Sequence, residues 1–132
     1  MAESKRILIV DDDKDFVESN RDLLEACGYE IFAEYDGVSG FETAKQEHPD
    51  LMILDVMMTH ATEGFEIARK IKSLPELNAM KVLLVSGLTK DMRIPFRLDS
   101  ADTEWLPVDH MLEKPIDPAR FITEIERLLQ EK

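Results

Sequence analysis

The sequence predicts an α/β fold, a doubly wound five-stranded parallel sheet with helices on both faces. Three observations predict it. Short apolar runs alternate with helical patterns five times along the chain, as a parallel sheet with helical crossovers requires. Three of those runs, "ILIV", "LMIL" and "VLLV", are apolar without a break, which is the composition of strands buried on both faces. The 132 residues suffice for one core and not for two, so a single domain spanning residues 1–132 is expected, with no output domain.

The elements follow in order. The first strand reads from Arg6 to Val10. Asp13 is placed to cap the helix behind it, on which Phe16, Leu23, Leu24 and Cys27 share a face and which "CGY" ends with a glycine stop. Cys27 is expected there as a small buried thiol. A second strand, Glu30 to Glu34, is mixed in polarity and reads as an edge. Val38, Phe41 and Ala44 mark the next helix, broken at "HPD". The third strand runs from Leu51 to Leu54, followed by a helix marked by Phe65, Ala68, Ile71 and Leu74 and stopped by Pro75. The fourth strand is Lys81 to Val85. Between Gly87 and Asp109 the helical pattern fails, because Pro95 interrupts any helix begun near Thr89 and "DSADTEWLP" is turn-rich without an apolar stripe. A helix in this fourth place is therefore short or irregular. His110 to Leu112 is the second edge strand. Phe121, Ile122, Ile125, Leu128 and Leu129 mark the last helix, with Asp117 as N-cap and Pro118 in its first position.

Composition excludes several function classes. The formal net charge is −12, from 28 acidic against 16 basic residues, which disfavours nucleic acid as a direct partner and favours cations or basic protein surfaces. No apolar run reaches the length of a membrane span or a signal peptide, so a cytoplasmic protein without membrane contact is expected. One cysteine, Cys27, leaves no internal disulfide to form.

Parallel strands open all their C-terminal ends on one edge of the sheet, and ligands of doubly wound folds bind there at the topological switch point. That edge collects Asp11 and Asp12 after the first strand, Asp55 after the third, Ser86 after the fourth and Lys114 after the fifth. Taken singly, most of these are ordinary: acids before helices are caps, a serine after a strand is a turn residue, and a lysine before a proline is solvated. Asp55 is the exception, since an acid flush against a buried strand must find a partner or be neutralised. Specificity lies in the set. Three acids gathered behind one strand repel one another unless something positive sits among them.

This constellation resembles the receiver domain of bacterial two-component response regulators, in particular the single-domain, chemotaxis-type receivers. The resemblance covers nearly the whole chain: "ILIVDDD", "GYEIFAEYDGVSGFETAKQEHPDLMILDVMM", "VLLVSG" and "EKP" stand in the family's order at close to its spacings. It implies the flavodoxin-like strand order 2-1-3-4-5. It implies further that Asp55 accepts a phosphoryl group from a sensor histidine kinase or phosphotransfer protein, and that Asp11 and Asp12 hold Mg²⁺ together with Asp55 and the backbone carbonyl of Met57, Asp11 acting mainly through water. Ser86 would bond the phosphoryl oxygen and Lys114 would pair with it. Such a chain is not an enzyme of sustained turnover, and its signal leaves by contact with a downstream protein or by phosphorelay. Physical chemistry supports these roles, since a carboxylate nucleophile forms an acyl phosphate when the transferring group's oxygens are neutralised on both sides.

Departures from the family pattern are visible too. Thr59 stands where a proline is usual, Gly64 lies nine residues beyond Asp55 rather than eight, and twenty-eight positions separate Ser86 from Lys114, several more than is typical. The usual switch aromatic is Met111. Met57 and Leu88 flank the expected path of attacking water, His48 and His60 read as surface histidines, and Trp105 reads equally as a partner anchor or a local core cap. A haloacid-dehalogenase-like phosphatase also opens with a strand and an Asp-x-Asp pair, here Asp11 and Asp13, but needs threonine or valine where Asp15 stands. A flavodoxin needs a hydroxyl and glycine loop where the three acids are. The remaining alternative is a pseudo-receiver, a binding module of the same fold that is not phosphorylated, and the complete acid, hydroxyl and lysine set argues against it.

Overall fold

Unbroken apolar strands need cover on both sides, and the computed structural model of the chain shows how it is supplied. It describes residues 5–55, 63–77, 79–86, 110–113 and 116–130. Five strands, β1 (Arg6–Val10), β2 (Glu30–Glu34), β3 (Leu51–Asp55), β4 (Lys81–Ser86) and β5 (His110–Glu113), form one sheet in the order β2-β1-β3-β4-β5. All neighbours are parallel. The described helices, in chain order, are α1 (Lys14–Ala26), α2 (Gly37–Glu47), α3 (Glu63–Ser73) and α4 (Pro118–Gln130).

Strand periodicity sorts the core into two layers. On one face Leu8, Val10, Met52, Leu54, Val82 and Leu84 pack with Ala44 of α2 and with Ile67, Ala68 and Ile71 of α3. On the other, Ile7, Ile9, Leu51, Ile53, Leu83 and Val85 pack with Val17 and Leu24 of α1 and with Phe121, Ile125 and Leu128 of α4. β1 and β3 lie inside the sheet and are buried from Ile7 to Val10 and from Leu51 to Asp55. The mixed-polarity strands β2 and β5 are its edges.

Helix ends follow the capping residues. The Asp13 carboxylate accepts from the Phe16 amide at 3.2 Å, that of Asp36 from the Ser39 amide at 2.8 Å, and that of Asp117 from the Arg120 amide at 3.1 Å. Each satisfies a backbone donor that the first helical turn leaves open.

Two expectations are corrected. Cys27 is exposed rather than buried; it is the C-cap of α1, where the chain turns outward into Gly28 at φ 97°. Val38 is 72% exposed, because α2 turns Gly37, Gly40 and Ala44 to the sheet instead. The segment from Gly87 to Asp109, with Pro95 and Trp105, lies outside the described residues, as do Thr59 and His60. Among the described residues no helix is long and apolar enough to cross a membrane.

Candidate functional site

Register brings the site together. β1 pairs with β3 so that Ile7 faces Leu51 and Ile9 faces Ile53; one step further along this ladder puts Asp11 beside Asp55. Both continue the odd-numbered rows of their strands, so they share the sheet face covered by α1 and α4. Asp12 extends past the strand end into solvent. A carboxylate oxygen from each of Asp11, Asp12 and Asp55 lies within 4.8 Å of the others.

The three acids differ in surroundings. Asp11 is 1% and Asp55 5% exposed, and they are the buried acids among the described residues, whereas Asp12 is open to solvent. Asp11 is anchored twice: its amide donates to the Glu34 carbonyl at 3.2 Å, and its Oδ1 accepts the Asp13 amide at 2.9 Å. The second bond draws the chain into a tight turn, which directs Asp12 outward and frees Asp13 to cap α1. One oxygen of Asp11 is thus committed to the backbone, while Asp12 presents its carboxylate to whatever approaches.

Asp55 ends β3, its backbone in register with Val85 of β4, and Ser86 follows directly as the last residue of β4, in register with Glu113 of β5. Each of the last three strands runs one residue further than the apolar pattern indicates, so the acid and the hydroxyl-bearing residue belong to the ladder itself. Ser86 is therefore brought to the same edge as Asp55. Lys114, the next residue after β5, and Met57 lie outside the described residues.

The mouth of the site is flanked on the β2 side by a group that sequence reading did not single out. Tyr35, just past β2, donates its hydroxyl to Glu18 Oε1 at 3.1 Å. That hydrogen bond to the carboxylate is the main reason its phenol is held above the ordinary tyrosine value. The Lys14 ammonium lies over the same ring, 5.8 Å from its centroid.

The arrangement suits a hard cation. Three carboxylates on one spot, one exposed and two buried, form an all-oxygen donor set of the kind that Mg²⁺ takes together with water. Comparison with known proteins decides the family. The model of the response regulator receiver domain matches residues 7–126. The chain belongs to the response regulator receiver family.

This receiver is 28% identical over 126 residues to the polar-differentiation response regulator DivK of Brucella ovis, covering 96% of this chain and 97% of that one. It is 32% identical over 111 residues to the response regulator MprA of Mycobacterium ulcerans, covering 84% of this chain and 47% of that protein. Among solved structures, a CheY-like response regulator receiver domain protein from Methanospirillum hungatei superposes with a TM-score of 0.80 at 28% identity, over 96% of this chain and 94% of that one. The signal receiver domain of a signal transduction histidine kinase from Syntrophus aciditrophicus does so with a TM-score of 0.78 at 26% identity, over 96% and 90%. The receiver's acid cluster therefore sits on a flavodoxin-like, CheY-type fold, at the switch point between β1 and β3 where such sheets bind their ligands.

Proposed function

We propose that the chain is a phosphoacceptor that takes a phosphoryl group from a histidine kinase or phosphotransfer protein onto Asp55, in a Mg²⁺-dependent reaction. One observation carries the reading: in a chain of the receiver family, Asp55 lies on the same sheet edge as Asp11 and Asp12, with carboxylate oxygens within 4.8 Å of one another. An Asp55 oxygen forms the new O–P bond while the P–N bond of the donor imidazole breaks, its electron pair returning to the ring nitrogen. When bound, Mg²⁺ supplies positive charge for the phosphoryl oxygens. Asp12 and Asp55 would hold it directly with the Met57 carbonyl, and Asp11, committed to the Asp13 amide, would act mainly through water. Ser86 would donate to a phosphoryl oxygen and Lys114 would pair with it as a point charge.

In this reading residues 1–132 act as one receiver unit in the cytoplasm, not as an enzyme, and the signal passes to a downstream protein by contact or by phosphorelay. The likeness to the receiver of a histidine kinase supports that class of donor.

Incubation with acetyl phosphate and Mg²⁺ followed by intact mass measurement tests the proposal. The expected result is one added phosphoryl group, absent without Mg²⁺ and absent in Asp55→Asn. Labelling of Asp55→Asn at the wild-type level would overturn the assignment, and an unlabelled wild type would favour the pseudo-receiver.

A further inference from the structure

Lys14 opens α1 directly behind the N-cap Asp13, two residues from Asp12. A cation in this position is opposed by the helix dipole and attracted by the acids beside it. Among the described residues it nevertheless makes no ion pair. Its ammonium instead lies over the Tyr35 ring. Tyr35 follows β2, on the far side of β1 from Asp55, and packs partly against the core layer beneath α1. Glu18, one helical turn beyond Lys14 and in principle its partner, accepts the Tyr35 hydroxyl and so fixes the ring.

The consequence is electrostatic. An ammonium drawn in toward these carboxylates would cancel part of the charge that attracts a divalent ion. We propose that Tyr35, locked by Glu18, is a positioning residue that holds the Lys14 ammonium away from Asp11, Asp12 and Asp55 and so preserves the negative charge that draws a divalent cation to them. This rests on reading the cluster as a cation site, and deepens that reading by assigning a device that keeps a competing ammonium away from it.

The test is Mg²⁺ affinity, measured by calorimetry at fixed ionic strength. Tyr35→Ala should weaken binding about two- to five-fold, the typical worth of an exposed cation–π contact. Tyr35→Leu, which keeps the apolar packing without a ring face, should behave alike. Tyr35→Phe keeps the ring face but loses the hydroxyl bond to Glu18 that fixes it, so its affinity should fall between those of the wild type and Tyr35→Leu. In a Lys14→Met background, Tyr35→Ala should have no effect, because no ammonium remains to be released. The inference is overturned if Tyr35→Leu fails to weaken binding, or if it weakens binding equally with and without Lys14. A wild type that binds no Mg²⁺ would bring down the cation-site reading itself and this inference with it, an outcome distinct from any difference among the variants.

Discussion

Neighbouring residues of one type are given different tasks by their backbone partners. Asp11, Asp12 and Asp13 are consecutive acids, yet one is buried and bonded to a following amide, one faces solvent, and one caps a helix. His48 shows the same dependence on backbone at the opposite edge of the sheet. It ends α2 with φ 49° and ψ 59°, its amide donating to the Ala44 carbonyl, and it is the described non-glycine residue with positive φ. Left-handed backbone costs an L-residue about 1–2 kcal/mol, part of which glycine would give back through its freer unfolded chain. His48→Gly should therefore stabilise the protein by about 0.5–1 kcal/mol, seen as a higher urea midpoint with an unchanged slope. Because this turn lies at the far edge from Asp55, the phosphorylation proposed there should proceed at the same rate in this variant.

How elements meet explains what could and could not be read beforehand. Strand positions, the edge roles of β2 and β5 and the grouping of Asp11, Asp12 and Asp55 were legible, since unbroken apolar runs, parallel topology and strand ends follow from local pattern. The direct apposition of Asp11 with Asp55 was not, because it depends on the β1–β3 register. Nor were the Lys14–Tyr35–Glu18 contacts, which exist only once α1 packs beside β2. On α2 Phe41 and Ala44 pack on the core as the pattern indicates, and only Val38 was misplaced, because a valine outweighs glycines in any apolar pattern. Gly40 in fact marks the contact: a Cβ there would come within 2.6 Å and 2.8 Å of the two Val10 methyl carbons, and Val10 is fully buried. Helix and strand approach this closely because position 40 has no side chain. Gly40→Leu should force them apart and destabilise the fold by about 1–3 kcal/mol, the usual penalty of overpacking, as a lower urea midpoint. Pairing it with Val10→Ala should recover part of the loss, and no recovery would mean that the methyl contact is not what limits the approach.

Charge acts over the entire chain as well as within the site, and the two contributions separate experimentally. A formal net charge of −12 opposes compaction by self-repulsion, which any added salt relieves by screening. Cation binding at Asp11, Asp12 and Asp55, as proposed above, would stabilise differently, by mass action on the native state alone. At a free Mg²⁺ concentration ten times its dissociation constant that linkage is worth about 1.4 kcal/mol. For a domain of this size such a gain raises the melting temperature by roughly 4–7 °C. Melts in MgCl₂ should therefore exceed those in NaCl of equal ionic strength by about that margin. Asp12→Asn, which removes the exposed carboxylate and leaves the buried Asp11–Asp13 turn intact, should abolish the excess while keeping the common salt response. If MgCl₂ and NaCl raise the wild-type melting temperature equally, the stabilisation is screening of the whole acidic surface, and the three carboxylates hold no ion of their own.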